Sequence, residues 1–254
     1  IADHLDMLED PSFDGKEREE AIADVESRRE TIYKILLRRD LNFAVVEQIA
    51  ERVKDIRAAN DRAAAASHPM TKAHVARVLS EAIEGKGAQV VNELGCPLDY
   101  MTIREHEAWR QEPHSGGLGW GLPCAMGMQL ADRDRLVVAT MGDGSYMFAN
   151  PAACHQAIAM HEVPLLTILC NNARWGAVQA STISVYPQGH AAKGPKPAPL
   201  SDLRPVPDFE KYCEASGGHA IRVERPEDLQ GAIAEGLKIV REERRQVLLN
   251  VICE

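Results

Sequence analysis

Aromatic residues are scarce in this 254-residue chain, at 5% of the total, whereas glycine and proline number 18 and 14. That balance disfavours a β-sandwich and suits an α/β protein with many turns. No stretch of about 18 apolar residues occurs, which excludes a membrane-spanning helix. Positive charge is short as well: 29 basic residues face 38 acidic ones, for a formal charge of -9 with no obvious basic face, which disfavours a nucleic-acid partner. The six cysteines (Cys96, Cys124, Cys154, Cys170, Cys213 and Cys253) include no CxxC pair and follow no secretory leader. They read as small, buried, reduced thiols of a cytoplasmic protein rather than as a disulfide framework. With 45% apolar and 26% charged residues, the chain can bury a large core and is not disordered.

The chain opens at Ile1 without an initiator methionine, and the expectation is a carboxyl part of something longer. Residues 1–67 are charge-dense and carry Ile22, Val25, Ile32, Ile35, Leu36, Val45, Val46, Ile49, Val53 and Ile56 in helical patterning. They are expected to form a helical arm or linker with a solvated charged face, the remnant of a preceding domain. From residue 68 to 254 the pattern alternates between helix and strand. Thr71 is a candidate cap for a helix reaching Ile83, which Gly85 and Gly87 stop before a strand over 88–92. Helices over 122–131, 152–161, 208–215 and 227–244 alternate with apolar strands over 136–141, 165–170, 220–223 and 247–252. Near-continuous apolar strands joined by helices imply a three-layer α/β domain, its mostly parallel sheet covered by helices on both faces. Residues 182–207, rich in proline and glycine, read as a long functional loop.

Two polar clusters each follow an apolar strand: Gly142-Asp143-Gly144-Ser145 and Asn171-Asn172. If both strands belong to one parallel sheet, their carboxyl ends share the edge where open α/β sheets hold ligands. Asp143 and Asn172 then become neighbours. A carboxylate and a carboxamide oxygen, supplemented by a backbone carbonyl, make a hard oxygen site suited to Mg²⁺, which completes its shell with phosphate oxygens and water. Gly144 and Ser145 would present unobstructed N–H groups at a helix start, where a diphosphate is favoured.

A dinucleotide cofactor fails on spacing. Gly117-Leu118-Gly119-Trp120-Gly121 lacks the GxGxxG order, and residues 109–114 read as polar rather than as a strand presenting the loop. No GxxxxGK[ST] phosphate loop exists either.

The Gly-Asp-Gly turn followed, after the spacer Ser145 to Cys170, by Asn-Asn resembles the signature of thiamine diphosphate enzymes. The spacer is slightly longer than the common form, so the connecting helix or its exit is expected to differ locally. Ser115-Gly116-Gly117-Leu118-Gly119-Trp120-Gly121-Leu122-Pro123 is similar to the glycine-rich stretch of the acetolactate synthase and benzoylformate decarboxylase family. Val90-Val91-Asn92-Glu93, the run Asn171 to Gly176, Pro207-Asp208-Phe209 and Gly217-Gly218 extend the likeness over about residues 70–254, the family's diphosphate-binding domain. The resemblance implies that the Gly116 carbonyl meets the cofactor's 4'-amino group and that Leu118 wedges the cofactor into its bent shape. It places the diphosphate and metal turn on Gly142, Asp143, Gly144 and Ser145, and the facing run on Asn172, Arg174, Trp175 and Gly176. The Mg²⁺ ligands would be Asp143, Asn172 and the backbone carbonyl of Arg174.

The implied activity is decarboxylation or carboligation of a 2-oxo acid, lyase or transferase chemistry. A benzoylformate-type decarboxylase is the alternative, and a non-catalytic fragment binding a phosphorylated ligand the reading from another class. Acetolactate synthases carry a Trp where Ser181 stands here, which puts acetolactate synthesis in doubt. In the family a Glu from the pyrimidine-binding domain of a partner subunit protonates the cofactor's N1', and no residue of this chain matches it. Glu93 follows a strand and is the tempting substitute, but by position it belongs to the diphosphate domain. The site is therefore expected to need a pyrimidine-binding domain from a missing part or another subunit, within a homodimer or homotetramer. His114 is a candidate proton relay, with a loop-stabilising role as the plainer reading. His155 and His161 lack partners at metal-ligand spacing and read as structural. Trp175 and Val178 are candidate pocket residues.

Overall fold

The computed structural model describes residues 70–254 except 105–106, 112, 114–115 and 194–197. The expected helical arm over 1–67 lies outside the described residues, as do His114 and Ser115. Six strands form one sheet: β1 (Gln89–Glu93), β2 (Trp109–Gln111), β3 (Val137–Gly142), β4 (Leu166–Asn171), β5 (His219–Val223) and β6 (Val247–Ile252). Their order is β2-β1-β3-β4-β6-β5, and every pairing is parallel. Among the described residues the α-helices are α1 (Lys72–Ile83), α2 (Gly121–Ala131), α3 (Asp143–Phe148), α4 (Pro151–Met160), α5 (Gly176–Val185), α6 (Glu210–Glu214) and α7 (Pro226–Lys238).

Strand side chains alternate between two cores, as the two-residue period requires. Val90, Val138, Ile168 and Leu249 meet α1 and α7 on one face, through Val75, Leu79, Leu229 and Ile233. Val91, Ala139, Leu169 and Leu248 meet α2, α3, α4 and α6 on the other, through Leu122, Tyr146, Ile158 and Cys213. Burial on both faces explains why β3 and β4 read as continuous apolar runs. Helix α1 starts where expected: Thr71 accepts a hydrogen bond from His74 N at 3.3 Å, and Gly85 follows in the left-handed region at φ 69°.

The chain runs from β1 outward to β2, then crosses to the other side of β1 to begin β3. This reversal leaves a crevice at the carboxyl ends of β1 and β3, the place where doubly wound sheets hold ligands.

Two sequence expectations need correction. Residues 109–111, read as too polar for a strand, form β2, pairing Val90 with Trp109 and Asn92 with Gln111. An edge strand has one neighbour and tolerates polar, partly exposed residues; the glycine spacing still departs from the dinucleotide fingerprint. The long loop read over 182–207 begins inside α5, whose uncharged sequence rich in Ser, Thr and Val carries no amphipathic period.

Asn92 ties the three strands around the crevice. Its Oδ1 accepts from Cys96 N at 2.8 Å and Thr140 Oγ1 at 2.7 Å, and its Nδ2 donates to Gln111 Oε1 at 3.1 Å. Asn92→Ala would strand the Cys96 N–H and the Thr140 hydroxyl, each costing about 1–3 kcal/mol. Urea unfolding is expected to show a loss of that order; an unchanged midpoint would contradict the assignment.

Candidate functional site

Strands β3 and β4 run side by side with Gly142 opposite Cys170, so the two polar clusters leave the sheet together. Asp143 opens α3 behind the N-cap Gly142 and is 2% exposed. Its Oδ1 accepts from Gly144 N at 3.0 Å, and its Oδ2 accepts from Arg174 N at 3.1 Å. One carboxylate thus joins the turn after β3 to the turn after β4. Burial pushes the Asp143 carboxyl above its ordinary pKa, against the opposing pull of the backbone N–H groups of Gly144 and Arg174.

The two asparagines divide their roles. Asn171 is buried; its Nδ2 donates to Asn250 at 3.0 Å and its Oδ1 accepts from Ala173 N at 3.1 Å. Asn172 lines the cleft. The turn between them and α5 holds Ala173 at φ 59° and is fixed by Trp175 N donating to Ser201 O at 2.8 Å and Leu203 N to Ala173 O at 2.9 Å. The Arg174 carbonyl accepts from Gly176 N at 2.9 Å, and its second lone pair remains for another partner.

The cleft has a volume of about 480 Å³, within the range of small-ligand pockets. Every cofactor-contact residue expected from the sequence lines it except Gly116, which is exposed in the left-handed region at φ 63°. The Trp175 ring packs on Gly144 so closely that a Cβ there would sit 2.5 Å from Trp175 Cε3. Phe148 meets the same indole edge-on at 4.9 Å between centroids. Trp175 therefore both lines the cleft and braces α3. Val178 lines the cleft too, whereas Ser181 lies exposed further along α5.

The role of Glu93 was not read from the sequence. It is fully buried, with Oε1 accepting from Gly119 N at 2.5 Å and Oε2 from Gly121 N at 2.6 Å. The carboxyl fastens the glycine-rich segment beside Leu118, so Glu93 is a positioning residue. Glycine at 121 leaves room for this carboxyl, since a Cβ would approach Glu93 Oε2 to 2.8 Å. The available signal was an acidic residue ending an apolar strand. Leu94, Gln179 and Ala180 also line the cleft without having been singled out.

His155 sits in a buried hydrogen-bond network. Gln246 donates through its amide to His155 O, which turns its oxygen toward His155 Nδ1 at 2.7 Å, and His155 Nε2 meets the Tyr146 hydroxyl at 2.7 Å. Burial lowers the His155 pKa, keeping the ring neutral. His161 is exposed at the end of α4. Among the described residues no group of three or more His, Cys, Asp or Glu could hold a metal. All six cysteines are free: four are buried, while Cys124 and Cys154 are half-buried.

Glu93→Gln sets an amide N–H against one of two backbone N–H donors, and a loss of about 1–3 kcal/mol is expected in chemical unfolding; no loss would show the loop to be held otherwise. The raised Asp143 pKa means that the folded, ligand-free chain keeps this proton to higher pH than the unfolded chain. Its contribution is full below the ordinary carboxylate value and is lost as pH rises through the raised one. Relative to the non-titrating Asp143→Asn, the wild type should lose thermal stability as pH rises above the ordinary carboxylate value of about 4. A pH-independent difference in melting curves would contradict this.

Residues 94–251 match the family described as thiamine pyrophosphate enzyme, C-terminal TPP binding domain. Acetolactate synthase isozyme 3 large subunit of Escherichia coli (strain K12) is 29% identical over 145 residues, 57% of this chain and 24% of that protein. Benzoylformate decarboxylase of Pseudomonas aeruginosa is 33% identical over 127 residues, 49% of this chain and 22% of that protein. The solved thiamine diphosphate-dependent 4-hydroxybenzoylformate decarboxylase of Rhodococcus jostii RHA1 superposes with a TM-score of 0.62 at 26% identity, covering 74% of this chain and 33% of that one. The chain thus spans between a fifth and a third of these relatives. With the matched segment running from just after β1 through the Gly142–Ser145 turn into β6, the chain belongs to the thiamine pyrophosphate enzyme family through its C-terminal TPP-binding domain.

Proposed function

We propose that this chain supplies the diphosphate-binding half of a thiamine diphosphate- and Mg²⁺-dependent site acting on a 2-oxo acid by decarboxylation or carboligation, in the manner of acetolactate synthases. The observation that carries the reading is the Asp143–Arg174 hydrogen bond, with Asn172 lining the same cleft. The donor set fits the ion: Asp143 carboxylate, Asn172 carboxamide and Arg174 carbonyl are hard oxygens, and Mg²⁺ takes few protein ligands when phosphate oxygens complete its shell. A cation there would also offset the burial that now favours a protonated Asp143.

When bound, thiamine diphosphate supplies the thiazolium carbon nucleophile and the electron sink for the departing carboxylate. The residues of this chain bind and orient. Asp143, Asn172 and Arg174 anchor the tail, Leu118 fixes the bend between the two rings, and Glu93 holds the loop that carries Leu118. Trp175 and Val178 shield the cleft from water.

The acid that protonates N1' is assigned to a pyrimidine-binding domain elsewhere in the assembly, with a homodimer as the smallest unit. Helix α5 supports a subunit contact beside the cleft: none of its residues is buried, and Val178 and Val185 are 50% and 65% exposed. The free cysteines suit a reducing, cytoplasmic setting. Ser181, standing where acetolactate synthases carry Trp, favours a second reading, benzoylformate-type decarboxylation with release of aldehyde. Product analysis with pyruvate in the complete assembly separates the two: acetolactate or acetoin against free aldehyde.

Calorimetry tests the shared core of both readings. The chain is expected to bind thiamine diphosphate only with Mg²⁺, to lose binding in Asp143→Ala and to bind more weakly in Asn172→Ala, while showing no turnover by itself. Unchanged binding in both variants would remove the metal site.

A further inference from the structure

We infer that Lys72 is a direct ligand of the diphosphate tail, its ammonium balancing the negative charge that the metal leaves over. The inference rests on the cofactor reading above and extends it to a residue outside both polar clusters.

The first residue of α1 stands at the carboxyl edge of the sheet. Its backbone N donates to Glu254 O at 3.3 Å, and Glu254 N donates to Met70 O at 2.8 Å, which pins this end of the helix beside the exit of β6. The side chain reaches across to the loop after β1, where Nζ donates to Leu94 O at 2.6 Å. Leu94 is in the left-handed region at φ 59°, and its carbonyl oxygen lies so near the Gly-Asp-Gly turn that a Cβ on Gly142 would be 3.5 Å from it. The ammonium is therefore held one hydrogen bond away from the start of the metal turn, and Lys72 lines the same cleft as Asp143 and Asn172.

Lys72 forms no ion pair among the described residues, and its single hydrogen bond leaves further N–H donors for a ligand. A diphosphate brings more negative charge than one divalent cation neutralises, and Asp143 adds its own. The other cation lining the cleft, Arg174, is exposed and turns its Nε to the Asn172 carbonyl at 3.3 Å. Half-buried and anchored, Lys72 is the cation placed to act where water screens least. It can bridge a phosphate oxygen without leaving Leu94, linking tail binding to the order of the loop after β1.

Titration of the full chain with inorganic pyrophosphate plus Mg²⁺, and separately with thiamine diphosphate plus Mg²⁺, tests this. Lys72→Met and Lys72→Gln are compared with Lys72→Arg, each checked for folding by its melting curve. Gln keeps a donor for Leu94 without the charge, so it separates a ligand from a loop clamp. Expected are about tenfold or greater losses of pyrophosphate affinity in both neutral variants, a shallower dependence on NaCl than in the wild type, and recovery to within about threefold in Lys72→Arg. Wild-type affinity and salt dependence in Lys72→Gln would overturn the inference, as would equal losses in Gln and Arg with an unchanged salt slope. Absence of any binding by the wild type would instead overturn the cofactor reading itself.

Discussion

A single buried carboxylate holds the ligand edge of this domain together. Asp143 accepts one N–H from its own turn and one from Arg174, so the loops after β3 and β4 are positioned by the same group. That arrangement is possible because β3 and β4 are parallel neighbours in a register that ends Gly142 beside Cys170. A parallel sheet delivers all its carboxyl ends to one edge, which brings residues distant in the chain into contact there. The cost is burial of a charge, visible as the raised Asp143 pKa. A cation bound there, as proposed, would offset that cost.

The same economy governs the glycines and the second buried carboxyl. Gly144 is bare because Trp175 covers it, and Gly121 is bare because Glu93 must reach its N–H. Glu93 and Asn92, neighbours on β1, fix different segments: Glu93 holds the glycine-rich loop, and Asn92 holds β1 to β2 and β3. Leu118, which lines the cleft, thus gains its place from an acid well before it in the chain, consistent with preorganisation by supporting contacts.

How far the fold was legible depended on local signals. Strands β3 and β4 are apolar runs ended by polar clusters, and their ends moved by only one residue between expectation and structure. Helix α1 carried both a cap and an apolar stripe. By contrast β2 owes its existence to pairing with β1, a tertiary effect that no polar three-residue segment announces. Helix α5 has uniform, uncharged residues and no buried face, so periodicity had nothing to report. In the site, residues in motifs were legible. Glu93 and Lys72 were not legible as contacts, because each acts through a backbone group that only the folded chain brings near.

Asp143, Asn172 and the Arg174 carbonyl are proposed to share one divalent ion. Crystals grown with thiamine diphosphate and Mn²⁺ in place of Mg²⁺ give the most direct answer through anomalous scattering. A peak within about 2.0–2.3 Å of oxygens from all three residues is the expected result. A cofactor-bound crystal whose metal peak touches neither Asp143 nor Asn172 would contradict it.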